Sequence, residues 1–96
     1  FSEDWGVYMD VEPRLHQVAT VISQIDDPKV PRNIRRQAKE ACEQWLLNKA
    51  KKLDVRIAMS QSKLEELYED PNIPPEFGTL ILMINTELEK ILTEVL

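Results

Sequence analysis

The pentapeptide Asp27-Pro28-Lys29-Val30-Pro31 recurs 43 residues later as Asp70-Pro71-Asn72-Ile73-Pro74. In both copies an Asp-Pro pair is followed by a polar residue, a β-branched apolar residue and a second proline. The residue before a proline is driven out of the helical region, whereas proline itself fits the first turn of a helix. Each pentapeptide is therefore predicted to end one helix and to begin the next.

The stretches on either side of these turns have apolar residues at spacings of three and four, which is the period of an amphipathic helix. No stretch alternates polar and apolar residues over the length of a strand. We therefore predict an all-α chain with four helices. The first runs from about residue 13 to residue 25, the second from residue 31 to about residue 48, the third from Asp54 as its N-cap to near residue 70, and the fourth from residue 74 to near the C-terminus.

Apolar positions also match when the 43-residue offset is carried outward, as Val21 does with Leu64. We therefore predict one domain, 1–96, in which two related helical hairpins, 12–49 and 53–96, close on each other as a four-helix bundle. A period of this length is also typical of HEAT and armadillo solenoids, but two units are fewer than a solenoid needs. The simpler alternative is that one good helix–helix turn is used twice, which leaves the predicted fold unchanged.

Residues 1–11 form a separate N-terminal arm in this prediction. Three of the six aromatic residues lie in its first eight positions, where no helical pattern is evident. In the fourth helix, two neighbouring residues widen the apolar surface beyond what one adjacent helix would cover. We expect a homodimer that buries part of the fourth helix or of the arm, with these candidate self-association residues: Trp5, Tyr8, Leu82 and Met83.

The second helix carries four basic residues near its N-terminus, which we call the basic cluster: Arg32, Arg35, Arg36 and Lys39. Guanidinium groups, free backbone donors and the positive end of the helix dipole together suit an anion or an acidic partner. The more ordinary role of such residues is to form salt bridges, here with Glu40 and Glu43 or with the acidic third helix.

Nucleic-acid or anionic-ligand binding through the basic cluster is the alternative function. It would draw on further basic residues along the chain: Lys49, Lys51, Lys52 and Arg56. Against nucleic acid, aromatic residues do not interleave with the basic ones, and no RNA-recognition or zinc-finger signature is present.

The net charge of −5 is distributed unevenly. Residues 28–63 hold ten of the twelve Lys and Arg residues, so a basic middle lies between two acidic flanks. A chain that is acidic overall does not commit its whole surface to nucleic acid or to an anionic membrane. The flanks are expected to neutralise the basic middle, either within the fold or in a second copy of the chain.

Signatures of enzyme chemistry are absent from the sequence: it has no glycine-rich phosphate loop, no Gly-x-Ser-x-Gly and no metal-ligand spacing. With one histidine, His16, and one cysteine, Cys42, it offers neither a His-based metal site nor an internal disulfide. We predict no catalytic residue, no cofactor and no metal, and therefore no enzyme.

The location expected from the sequence is the cytoplasm. The longest apolar run, residues 80–84, is far shorter than the roughly 20 residues that span a bilayer. The acidic first ten residues are the opposite of an export signal, and a lone cysteine suits a reducing compartment.

The string Val30-Pro31-Arg32-Asn33-Ile34-Arg35-Arg36 is the most distinctive in the chain. Together with Glu69-Asp70-Pro71-Asn72-Ile73-Pro74 and Asp54-Val55-Arg56, it resembles uncharacterised protein family 0147, a family of short archaeal proteins. The resemblance covers about residues 15–91. It implies a small all-helical, intracellular protein of unknown function, and it supplies no catalytic residues. Our functional hypothesis is therefore a structural or protein-interaction module that self-associates.

Overall fold

The computed structural model describes residues 2–96, with side chains from Val11 onward. Within this part of the chain there are four α-helices and no strand, which confirms the all-α prediction. The helices are α1 (Ser2–Ile22), α2 (Arg32–Glu40), α3 (Leu53–Tyr68) and α4 (Pro75–Val95). A 3₁₀ turn, Ser23–Ile25, extends α1, and a π-helical segment, Ala41–Leu46, extends α2.

The two Asp-Pro turns have the same hydrogen bonds. Asp27 Oδ1 accepts from the amide of Lys29 at 2.9 Å, and Asp70 Oδ1 accepts from the amide of Asn72 at 2.8 Å. The main-chain carbonyl of each aspartate also accepts from the amide three positions on, at 2.9 and 3.1 Å. Each aspartate thus closes its turn twice, as Asp does in Asx-turns. The wider relation between the two hairpins, the internal repeat, stays a prediction.

The first helix begins much earlier than predicted. α1 is continuous from Ser2, so residues 2–11 belong to a helix instead of a separate arm, and Pro13 lies inside it. Proline has no amide hydrogen, so it cannot donate to the carbonyl four residues earlier, and its ring crowds that carbonyl.

The start of α3 is also different from the prediction. Its N-cap is Lys52, which is extended and makes no side-chain cap hydrogen bond. Asp54 lies inside the first turn, where its Oδ1 accepts from the amide of Val55 at 2.9 Å. A carboxylate in the first turn is favoured by the helix dipole, and this explains an acidic residue there without the capping role.

The apolar core is continuous through all four helices. α4 packs against both α1 and α3, and α3 also packs against α2 and the π-helical segment. Each α-helix contributes fully buried side chains, for example Leu15, Ile34, Leu64 and Leu88. These positions lie on the predicted apolar stripes, and the packing is compatible with the expected four-helix bundle.

Candidate functional site

A groove of about 640 Å³ lies between the C-terminal part of α1 and helix α2 with its π-helical extension. Its volume is in the range of small-molecule and peptide-anchor sites. The inner lining is apolar and consists of buried or half-buried side chains: Ala19, Ile22, Ala38, Cys42 and Leu47. We call this site the α1–α2 groove.

All four members of the basic cluster line the α1–α2 groove. Arg32, Arg36 and Lys39 are exposed at its edge, and Arg35 is half-buried. Positions spaced by three and four share one side of a helix, which is why α2 presents the four cations together. The structure thus brings the predicted anion or partner contacts to one place.

The salt bridges of the basic cluster are long and mostly exposed. Arg35 Nη1 lies 3.7 Å from Asp26 Oδ1, and Arg36 Nε lies 3.8 Å from Glu40 Oε1. Exposed pairs of this kind contribute about 0–1 kcal/mol each. Among the residues whose side chains are described, no salt bridge joins the cluster to α3 or α4, which was one of the expected structural roles.

The remaining charges leave the groove positive. Within residues 11–96, Arg32 and Lys39 form no salt bridge, and the buried Arg35 Nε has no hydrogen-bond partner. Of the carboxylates in the same residues, two line the groove, those of Asp26 and Glu43. Four cations and two anions around an apolar floor favour an occupant that is both acidic and apolar.

The π-helical segment places Cys42 in this groove. The amide of Leu47 donates to the carbonyl of Cys42 at 2.8 Å, a bond that spans five residues. Such turns are rare and occur frequently at functional sites. The apolar stripe Ile34, Ala38, Ala41 and Trp45 keeps ordinary helical spacing, so the sequence has no signal for this turn.

Cys42 itself is not an activated nucleophile. Burial, together with the charge of the adjacent Glu43, raises the pKa of its thiol to about 11. The thiol is therefore protonated at neutral pH, and a protonated thiol is a poor nucleophile and metal ligand. The prediction that Cys42 acts as a small apolar side chain fits this environment.

A second candidate surface lies on the outer side of α4. The side chains of Leu82 and Met83 are 49% and 65% exposed, although both are large and apolar. Exposed Thr79 and Thr86 flank them one turn away on each side. We call these four residues the α4 ridge.

Apolar surface continues from the α4 ridge in both directions. On one side a groove of about 300 Å³ toward α1 is lined by Val21, Leu80 and Met83. On the other side a groove of about 520 Å³ toward α3 is lined by Tyr68 and Leu82. The other two candidate self-association residues lie in α1, and their side chains are outside the described part of the structure: Trp5 and Tyr8.

Arg56 is predicted to extend the binding face of the basic cluster, but in the structure it is buried. Its side chain is 5% exposed. The guanidinium donates to both carboxylate oxygens of Glu12. Its Nε and Nη2 also donate to the carbonyl of Leu46, at 3.1 and 2.9 Å. The hydrogen bond from Arg56 is the main cause of the lowered pKa of Glu12, which burial partly opposes. The one hint in the sequence is position, because Arg56 lies next to the apolar stripe that contains Leu53 and Ile57.

The described residues hold neither a metal-binding cluster nor a membrane-spanning helix. They contain no group of three or more His, Cys, Asp or Glu side chains placed to hold a metal ion. In the same part of the chain, none of the helices combines the length and the apolar character that a membrane crossing requires.

Comparison with known proteins gives one consistent match. The model of an uncharacterised protein family, UPF0147, matches residues 4–91. A UPF0147 protein from Pyrococcus abyssi is 44% identical over 84 residues, which are 85% of this chain and 96% of the relative. A UPF0147 protein from Methanopyrus kandleri is 36% identical over 96 residues, which are 98% of this chain and 91% of the relative.

A solved structure has the same fold. It is the crystal structure of a protein of unknown function, MMP1188, with a TM-score of 0.72 and 38% sequence identity. The similarity covers 78% of this chain and 85% of that chain.

Proposed function

Because the chain belongs to the uncharacterised protein family UPF0147, whose matched relatives come from archaea, we propose a function from its surface: a protein-interaction module that pairs with a second copy of itself through the α4 ridge. The observation that carries the proposal is the exposure of Leu82 and Met83 side by side on one helix. Contiguous exposed apolar surface on a small protein marks an interaction site.

Burial of the α4 ridge supplies part of the free energy that a stable dimer needs. Burying the exposed parts of Leu82 and Met83 from two copies contributes roughly 5 kcal/mol, given about 1.5–3 kcal/mol for a fully buried side chain. A micromolar dimer needs a net of about 8 kcal/mol, in addition to what offsets the translational and rotational freedom lost on association. Neighbouring groups must therefore contribute, and the flanking Tyr68 and Leu80 supply further apolar area.

Charge supports one arrangement of the two helices. Glu76, Met83 and Lys90 are seven residues apart, so they lie along one side of α4, and all three are exposed. If two copies of α4 pack antiparallel with Met83 on the two-fold axis, Glu76 of each copy faces Lys90 of the other. A parallel arrangement would place like charges together, which is unfavourable.

The proposed module is non-catalytic and works in the cytoplasm. A thiol is the most nucleophilic kind of side chain in this sequence, and the thiol of Cys42 is protonated at neutral pH. This supports a function without nucleophilic catalysis. A single half-buried cysteine with a raised pKa also suits a protein that keeps its thiol reduced.

Sedimentation equilibrium at micromolar concentration tests the proposal. We expect the unmodified chain to sediment with the mass of two chains and the Met83→Lys variant to dimerise much more weakly, because each Lys would bring a charge into the apolar contact. Met83 is exposed, so its replacement leaves the core intact. Ser62→Lys, at an exposed position of α3, is the matched control and is expected to remain a dimer.

Two results would count against the α4 interface. One is an unmodified chain that sediments as a single chain. The other is a Met83→Lys variant that dimerises as strongly as the Ser62→Lys control.

A further inference from the structure

The α1–α2 groove has the chemistry of a peptide-binding site. Its floor is apolar, and the basic cluster gives it twice as many cations as carboxylates. An occupant that carries both apolar side chains and an excess of carboxylates would bury its apolar side chains on the floor and pair its carboxylates with the basic cluster. Such a segment differs from a simple anion, which would leave the floor empty.

Two features of the groove wall are typical of a binding surface. Arg35 Nε is shielded from solvent, yet it has no hydrogen-bond partner within residues 11–96. A buried guanidinium donor without an acceptor is costly, and a carboxylate or a main-chain carbonyl would satisfy it. The π-helical segment, a device often found at functional sites, forms part of the same wall.

Nucleic acid is a poorer fit to this groove. Within residues 11–96, none of the residues that line it is aromatic, so this part of the chain gives a base no surface on which to stack. The carboxylates of Asp26 and Glu43 would face the phosphates. The apolar floor also has no counterpart in a sugar–phosphate backbone.

The N-terminal turns of α1 have the matching chemistry. Residues 2–10 contain three carboxylates, those of Glu3, Asp4 and Asp10, and no basic residue. The same residues include Trp5 and Tyr8, which are three positions apart and so share a helix face. We call residues 2–10 the acidic segment; it is helical in the structure and about 13 Å long at 1.5 Å per residue.

The acidic segment cannot occupy the groove of its own chain. The acidic segment is the N-terminal part of α1, and the C-terminal part of the same helix, which is continuous from Ser2 to Ile22, lines one side of the groove. Ile22 lines the groove, and Trp5 precedes it by seventeen residues, which is roughly 25 Å along the helix axis. While α1 stays helical, only another molecule can bring such a segment into the groove.

We infer that the α1–α2 groove binds the acidic segment of a second copy of this chain, with Trp5 and Tyr8 on the apolar floor and the carboxylates at the basic cluster. The inference rests on the proposed function in one respect, that copies of the chain associate. It concerns a different surface from the α4 ridge, so the two contacts can be tested separately. Two chains that exchange their acidic segments fill both grooves.

A charge-swap experiment with a labelled peptide tests the contact. The probe is a fluorescent synthetic peptide of residues 1–11, and binding is followed by fluorescence anisotropy. The receptor is the full chain with Glu3→Lys and Asp4→Lys, because its groove is intact and its own altered segment does not compete. We expect saturable binding that weakens as salt is raised, since the contact is largely electrostatic.

The groove variant carries Arg32→Glu and Arg36→Glu and keeps Glu3 and Asp4, so that its own acidic segment does not match the altered groove. Both positions are exposed, and acidic residues at the start of α2 are favoured by its dipole, so folding is expected to be unaffected and is checked by circular dichroism. We expect the peptide to bind this variant at least about tenfold more weakly, a loss of about 1.4 kcal/mol. A peptide with Glu3→Lys and Asp4→Lys is expected to show the reverse preference and to bind the groove variant.

The controls separate this contact from the α4 ridge and from other ligands. Adding Met83→Lys to the receptor is expected to leave peptide affinity unchanged, whatever it does to dimerisation. The inference is overturned if all four peptide–protein pairs bind alike, or if none binds. It is equally overturned if an RNA oligonucleotide binds the receptor through Arg32 and Arg36 while the peptide does not.

Discussion

Arg56 joins three parts of the chain from one buried position. Its guanidinium reaches Glu12 on α1 and the carbonyl of Leu46 at the end of the π-helical segment, and its own main chain belongs to α3. The main-chain carbonyl of Arg56 also accepts from Ser60 Oγ at 2.7 Å. A buried charge needs such partners, because an unpaired one would cost several kcal/mol.

The Glu12→Gln variant tests this role. At neutral pH we expect the free energy of unfolding to fall by about 2–3 kcal/mol, because the buried guanidinium loses its counter-charge. Urea unfolding followed by circular dichroism measures the change. Glu65→Gln, on the exposed side of α3, is the matched control and is expected to shift stability by less than about 0.5 kcal/mol.

The same pair predicts a dependence on pH. Arg56 lowers the pKa of Glu12 in the folded state from its ordinary value of 4.5, so the stabilisation is present above that value. It is lost as the pH falls below 4.5 toward the folded-state pKa. The difference in unfolding free energy between the unmodified chain and Glu12→Gln should therefore shrink in acid; a difference that stays constant from pH 7 to pH 3 would contradict this role for Arg56.

Helix α4 contains a glycine that its conformation does not require. Gly78 is buried and helical, and its φ is not positive. A Cβ added there would lie 3.6 Å from Cε1 of the Tyr68 ring, which is an ordinary van der Waals distance. The position therefore has room for a methyl group between α3 and α4.

Gly78→Ala is expected to stabilise the protein. The gain should be about 0.5–1 kcal/mol, because alanine loses less backbone entropy than glycine when a helix forms. Thermal unfolding measures it as a higher midpoint. Gly78→Val is the paired variant and should lose the gain, since its added methyl groups would press on Tyr68; an alanine variant less stable than the unmodified chain would contradict the geometry described.

Across the part of the molecule whose side chains are described, residues 11–96, the acidic flanks reach the basic cluster only through Asp26, and neutralisation by a second copy of the chain stays a prediction. The well-formed ion pairs between helices use other arginines: Arg14 reaches Glu94 at 2.8 Å and Glu87 at 3.2 Å on α4, and Arg56 reaches Glu12 on α1. Among the described side chains, the basic cluster has only the long contacts to Asp26 and to a neighbour on its own helix. Its charge is thus available to an acidic partner.

The sequence was sufficient to predict the elements but not the details that shape the groove. The Asp-Pro turns and the apolar stripes predicted four helices, because both signals are local. The observed start of α1 lies before the predicted one, because the first ten residues have no clear helical pattern and a proline such as Pro13 is typical of a first helical turn. The π-helical turn and the Glu12–Arg56 pair have no local signature, because each depends on how distant parts of the chain pack.

Met83→Cys provides the most direct test of self-association through α4. The variant also carries Cys42→Ser, so that the new thiol is the only one in the chain. If Met83 lies on the two-fold axis, two thiols meet at a distance that a disulfide can bridge, about 3.8 Å between Cβ atoms. We expect mild oxidation to give a covalent dimer on non-reducing gels well before a Ser62→Cys control does; a Met83→Cys chain that is linked no faster than this control would contradict the α4 interface.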